Sequence, residues 1–422
     1  MINHSQIKRN IIIAQCAGML PYCLISNGFI LSYLSKFNIA SDKILLLLSI
    51  SEAIIFLLVI PAAFMADRIG KKIVGFTGIL FNLIGFSLLL SLNYFKDNSF
   101  NIAFLAFTIY GIGFTLFSAT WMPMLKPILK EEERGKFFGR LRSTWQIVAI
   151  ITTFFITYIL SIQQGIKTFQ LILVGVIILA AIRLPLYCTI PELEKNTSKG
   201  ESFFTSVKSV IHIPKYLSYC CYLFLLMLFT YCIPSLLFLL EKDKLGFSAD
   251  QIIWMGNLLA IGSIIGFATA GKLIDSYGTK PLFLFCHLFF AFIISLILFR
   301  SLSPLPIFFT MGFLTFLFGF TLAALSIAKT TELLHLIPEK NISLAGALGV
   351  SLFAGGSALS TMISSKILSL KLLNTEWVLF GITMNEYDTI LFGCCLMILM
   401  LTVTLGLVPS VVGKSKDYPN IN

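Results

Sequence analysis

Apolar positions in this chain fall in long unbroken blocks, each closed by a short cluster of charged or turn-forming residues. The blocks run over 10–35, 43–66, 73–93, 100–124, 141–162 and 167–189, then 216–240, 251–273, 281–300, 304–328, 343–370 and 386–409. Each is close to the roughly 20 apolar residues that an α-helix needs to cross a bilayer. In lipid a helix satisfies its backbone polar groups internally, so blocks of this length fold as helices. The pattern predicts an all-α integral membrane protein with twelve transmembrane helices. Short alternating segments of the kind that build a membrane β-barrel do not occur.

Composition enters by exclusion. With 57% of the 422 residues hydrophobic and 12% charged, the chain cannot cover a water-facing globule, which uses about 25% charged residues. The net charge of +11 would suit nucleic acid if the basic residues shared one face. They lie instead in short connections, so no nucleic-acid partner is expected. A cytoplasmic N-terminus places most of the 31 Lys and Arg on cytoplasmic connections, as the positive-inside rule requires. The expected location is the cell (inner) membrane, multi-pass, with both termini cytoplasmic and the first block a retained span.

The nine cysteines sit in or beside apolar blocks without a CxxC pair, and His4, His212, His287 and His335 are isolated. No metal site and no cofactor are expected. A Walker A loop, HExxH and GxSxG are missing from the sequence. An ATP-driven pump or a hydrolase is therefore not expected, and the chain reads as a non-enzyme.

The longest polar stretch, 191–215, reads as a cytoplasmic linker rich in Ser, Lys and Glu. It separates a six-helix bundle over 1–190 from a second over 216–422. The halves echo each other. Ala63-Phe-Met-Ala-Asp67-Arg68-Ile-Gly70-Lys71-Lys72 follows the second block, and Gly271-Lys-Leu-Ile-Asp275-Ser-Tyr-Gly278-Thr-Lys280 follows the eighth. Asp67 and Asp275, Gly70 and Gly278, and Lys72 and Lys280 keep one constant separation, the mark of a parallel repeat.

On these residues the chain resembles the major facilitator superfamily, whose signature after the second helix reads Gly-x-Leu-x-Asp-Arg-x-Gly-Arg-Lys. Here Ala63 replaces the first glycine, whereas the second copy keeps Gly271. The resemblance implies two pseudo-symmetric six-helix bundles and secondary transport by alternating access. It also implies a cytoplasmic latch made by Asp67, Arg68, Gly70, Lys71, Lys72, Arg134, Asp275 and Gly278. Read from the residues alone, the same loop is a basic, topology-setting turn in which Asp67 can face a helix N-terminus. The fifth block lacks the family's glycine-proline motif and the fourth lacks its arginine, which argues against a drug–proton antiporter.

Glu52 is the sharpest single residue, an acid 15 residues before Asp67 and so roughly 22 Å along the helix. An ionisable group at that depth is a functional hypothesis by default, here a carboxyl that exchanges a proton. In the family the second span packs on the eleventh, and Lys366 is the expected gate partner of Glu52, against the alternative that it snorkels to the headgroups.

The expected substrate cavity collects Asn27, Thr115, Ser118, Trp121, Trp145, Gln146, Tyr222, Thr230, Tyr231, Asn257, Thr315 and Thr321. Each can equally be a helix-packing residue. As a group they suit a small, mostly neutral or zwitterionic organic solute, and not a phosphorylated one. The expected partners are that solute, protons and the lipid bilayer, with the protein a monomer. The alternatives are a transporter of lipid-like amphiphiles, suggested by 40 phenylalanines, and a non-transporting membrane sensor.

Overall fold

Glycine, asparagine and proline positions decide where the apolar blocks bend. The computed structural model describes residues 4–129, 131–193, 213–336, 342–371, 373 and 376–407. The first block breaks into α1 (His4–Ser26) and α2 (Phe29–Ser35), which meet at 53°. Gly28 sits at the break with φ +84°, a backbone conformation glycine adopts without steric cost. Asn27 Oδ1 accepts from the Phe29 amide at 3.1 Å, satisfying one of the donors that the broken helix leaves open.

The N-terminal half continues with α3 (Ser41–Ile69), α4 (Lys71–Leu88), α5 (Ser99–Leu125), α6 (Glu131–Ile162), α7 (Ile166–Ala181) and α8 (Arg183–Cys188). The seventh block also breaks, into α9 (Pro214–Thr230) and α10 (Ile233–Asp243). Pro234 sits at the start of α10, a position where its missing N–H costs nothing. Ser360 Oγ accepts from the Cys232 amide at the break, at 3.1 Å. Then follow α11 (Ala249–Tyr277), α12 (Thr279–Leu298), α13 (Ile307–Leu336), α14 (Ile342–Ser369) and α15 (Glu386–Leu407). Eleven described helical segments, with α7 and α8 taken as one and α9 and α10 as one, are long and apolar enough to cross a membrane, and α1 with α2 makes a twelfth.

A two-stranded hairpin, β1 (Trp377–Leu379) with β2 (Ile382–Met384), lies between α14 and α15. Phe380 and Gly381 form its turn, both at positive φ, as the tightest hairpin turns demand. The repeat of apolar blocks gave no sign of it.

Small residues bring the helices together. A Cβ on Gly262 of α11 would lie 2.0 Å from the Phe316 carbonyl oxygen of α13, and one on Gly319 of α13 would meet the Leu259 carbonyl oxygen at the same distance. Neither neighbour is a side chain that can turn aside. Gly262→Leu is therefore expected to cost more than the roughly 1–3 kcal/mol of ordinary overpacking, read as a lower melting temperature in detergent. Gly266, Gly355 and Gly356 also face close neighbours, whereas Gly346 has nothing within 4 Å of its notional Cβ.

The halves meet along two seams, α3 against α14 and α6 against α11. In the first, Ser365 donates to the Asp42 carbonyl at 2.7 Å and Ser351 to the Phe56 carbonyl at 2.7 Å. In the second, Asn257 donates to Thr157 Oγ1 at 3.1 Å and Gln164 to Asp250 Oδ1 at 2.6 Å. The Phe154 and Trp254 rings pack edge-on at 4.8 Å.

Candidate functional site

Most charged side chains in the spans lie near helix ends, but two from opposite halves reach the centre. Glu52 comes from the middle of α3, and the break between α9 and α10 turns Tyr231 towards it. The Tyr231 hydroxyl donates to Glu52 Oε1 at 2.8 Å. Lys329 comes from α13, about two turns before that helix ends at Leu336. Its Nζ lies 3.8 Å from Met227 Sδ and 4.1 Å from the centre of the Phe353 ring, a cation–π contact. Met227 stands one helical turn before Tyr231 on α9, so the two charges approach neighbouring levels of the same helix.

Glu52 and Lys329 act on each other electrostatically. No described ion pair joins them within 4.0 Å. An acid and a base from opposite halves thus act on each other without a described ion pair. Around Glu52 are aromatic rings from the N-terminal half. Tyr22 stacks on Phe114 at 5.9 Å, and Phe114 on Tyr110 at 6.2 Å. The arrangement offers one anionic and one cationic group, with aromatic rings beside the anionic one.

The end of the bundle that holds Asp243 is tied across the halves. Asp243 Oδ2 accepts from Ser41 at 2.6 Å and from Tyr387 at 2.5 Å. Lys242 pairs with Asp243 at 3.0 Å and donates to Ser35 and Ser41, each at 3.1 Å. With Ser365–Asp42 and Gln164–Asp250, these bonds close that end. An open cavity lies at the opposite, Asp67 end, between α1 and α6, lined by Lys8, Arg9, Phe137 and Arg140. Neither Glu52 nor Lys329 lines it.

The sequence matches the Major Facilitator Superfamily over residues 11–361. The chain belongs to this family. Alternating access is characteristic of it, and the role it indicates is transport rather than enzymatic catalysis. No curated protein matches the chain in sequence. Its fold is similar to that of a D-xylose–proton symporter (TM-score 0.71, 14% identity, 98% of each chain covered). It is also similar to a POT family transporter in complex with 5-aminolevulinic acid (TM-score 0.73, 13% identity, 96% of each chain). A third likeness is to a bacterial homologue of the iron transporter ferroportin in the inward-facing state (TM-score 0.72, 12% identity, 95% of this chain and 98% of that one). At these identities the likeness is one of fold.

The superfamily signature makes its described bonds inside the N-terminal half. Glu192 Oε1 accepts from the Lys71 amide at 2.7 Å, at the first turn of α4. The carboxylate that meets a helix N-terminus in a described bond is thus Glu192. Lys72 Nζ donates to the Cys188 carbonyl at 2.7 Å, and Arg68 lies over the Phe64 ring at 4.2 Å. Gly70 and Gly278 take positive φ where α3 and α11 end. Asp67 is half-buried and Asp275 exposed. The side chain of Arg134 and most of the linker 191–215 lie outside the described residues.

Lys366 is exposed in the last turn of α14. Its neighbour Ser365 is bonded to Asp42, ten residues and so about 15 Å along α3 from Glu52. The groups described as acting on Glu52 are Tyr231 by a hydrogen bond and Lys329 through its charge, and no described bond joins Glu52 to Lys366.

Of the expected cavity residues, Tyr231 is brought to Glu52. Ser118, Trp145 and Gln146 are half-buried. Asn27 Nδ2 and Thr315 Oγ1 are buried with no described partner. Others turn elsewhere: Tyr222 pairs with His287 Nε2 at 2.9 Å, and Trp121 stacks on Tyr187 at 6.5 Å. The hydroxyls of Thr115, Thr230 and Thr321 bond back to their own helices, and Asn257 serves the α6–α11 seam.

Proposed function

We propose that the protein is a secondary transporter of a small zwitterionic organic solute. The observation that carries this reading is the placing of Glu52 and Lys329 on opposite halves, facing but not touching. A solute with an ammonium and a carboxylate bridges them, its ammonium on Glu52 and its carboxylate on Lys329. Charge-assisted hydrogen bonds of this kind are about twice as strong as neutral ones. The same solute draws the halves together on binding, and it alone makes both contacts, so its differential affinity drives the change of state. Of the proteins of similar fold, the POT family transporter holds 5-aminolevulinic acid, a short molecule bearing an amine and a carboxyl.

In this reading the Asp67 end is cytoplasmic and the tied Asp243 end faces outward. Cysteines placed at the exposed Asn98 and Ser276 report it. A membrane-impermeant thiol reagent added outside intact cells should label position 98 and not 276; the reverse pattern would invert the topology.

Glu52 also gives the site a means of proton coupling, since a proton can take the place of the solute's ammonium on the empty carboxylate. The test is uptake of labelled amino acids into proteoliposomes with and without an imposed pH gradient. Stimulation by the gradient in the native protein, lost in Glu52→Gln, is expected. Stimulation that persists in the variant would remove Glu52 from the coupling.

A further inference from the structure

A second ionisable group is buried in the N-terminal half, away from the Glu52–Lys329 pair. Arg183 opens α8, and only 4% of it is exposed. Its guanidinium lies 3.5 Å from the centre of the Phe117 ring and 5.7 Å from that of Trp121, both on α5. On the other side is α1, where a Cβ on Gly18 would come within 2.3 Å of the guanidinium. The absence of a side chain at Gly18 is what makes the seat. Of the five N–H donors of an arginine, one described bond uses a single nitrogen: Nη2 donates to Gln15 Oε1 at 3.2 Å. Nε is buried with no partner. No carboxylate among the described residues forms an ion pair with it.

A guanidinium held among helices is costly unless something of opposite charge meets it, and in a membrane protein such a group marks a ligand path. The aromatic faces of Phe117 and Trp121 offset part of that cost, but they leave the fork of N–H donors with one amide oxygen as acceptor. A planar fork of this kind matches carboxylate and phosphate oxygens two at a time.

We propose that Arg183, seated against Gly18 and bonded to Gln15, forms an oxyanion-binding site for a carboxylate or phosphate group, separate from the central pair. Gln15 and Tyr22 stand seven residues apart on α1, about 10 Å along its axis. Tyr22 is one of the rings grouped with Glu52. The oxyanion site therefore lies on the Asp67 side of the centre, where an acidic solute would pause beside the central pair. The site does not depend on the zwitterion reading, because binding to it is measured without transport.

The test uses the emission of Trp121, isolated by replacing Trp145, Trp254 and Trp377 with Phe in the purified full-length chain. Inorganic phosphate, succinate and chloride are titrated at constant ionic strength. A saturable change with phosphate, succinate or both, and none with chloride, is expected, and which of the two acts identifies the group. Arg183→Gln should abolish the response, with its melting temperature confirming the fold. Arg183→Lys keeps the charge without the fork and should weaken binding roughly 10–100-fold; it serves if the Gln variant does not fold. No saturable response in the native side-chain set, or an equal response in both Arg183 variants, would overturn the site. An equal response to chloride would reduce it to general charge screening.

Discussion

Glu52→Gln and Lys329→Met are each expected to abolish concentrative uptake, and the double variant to be no worse than either alone. Each substitution removes one charge-assisted hydrogen bond to the solute, a loss of about 1.5–3 kcal/mol, or roughly 10–150-fold in affinity. Once one end of the solute is unheld, the two halves are no longer bridged and the second contact contributes little. Non-additivity of this kind marks residues that act through a shared partner. The solute's own groups provide the matching control. Removing the ammonium should weaken binding to the native protein and leave Glu52→Gln indifferent, while removing the carboxylate should do the same for Lys329→Met. Strict additivity of the two substitutions would place the residues in separate roles.

Asp243→Ala is expected to open the end of the bundle that the structure shows tied. The substitution deletes the acceptor for Ser41 and Tyr387 and the partner of Lys242. All three contacts are partly solvated, so their joint contribution is on the order of 2 kcal/mol, about a thirtyfold shift in the balance of states. Thr157 reports it, because this buried residue lies in the α6–α11 seam beneath that end and bonds Asn257. A cysteine at position 157, in a background without other reactive thiols, should react slowly in the native protein and many-fold faster in the Asp243 variant. Unchanged reactivity would mean that the Asp243 cluster is not a gate.

The apolar blocks made the helices legible because a span must satisfy its backbone internally and has no other fold available. The superfamily signature and its second copy made the two halves legible. What escaped was where charge goes inside the bundle. The tenth block ends at Ala328 by hydropathy, so Lys329 reads as the first residue of a loop. Yet Leu333 and Leu336 continue the same period beyond it, and α13 runs to Leu336. Arg183 lies inside the sixth apolar block, where Ala180, Ala181, Ile182, Leu184 and Leu186 surround it in the sequence. A single cation between apolar neighbours was the available signal for Arg183, whereas Lys329 is followed by Thr330, Thr331 and Glu332. Lys366 is matched to Glu52 only by counting residues along two helices. The bend at Tyr231, which turns its hydroxyl to Glu52, could not be counted. For Thr230 and Thr321 the sequence is silent for a simpler reason: a hydroxyl that bonds back to its own helix looks the same in sequence as one that faces a cavity.

The central claim is that one site grips both ends of a zwitterion, and thermal unfolding of the purified protein against matched sets of solutes tests it most directly. Each set holds a free amino acid, its N-acetyl derivative and its amide, together with an uncharged sugar. A solute that binds only the folded protein raises the melting temperature in proportion to its affinity. The account predicts stabilisation by at least one free amino acid. Its N-acetyl and amide derivatives should stabilise weakly, and neither Glu52→Gln nor Lys329→Met should respond to the free amino acid. Stabilisation by the sugar, or by all three members of a set alike and unchanged in both variants, would contradict it.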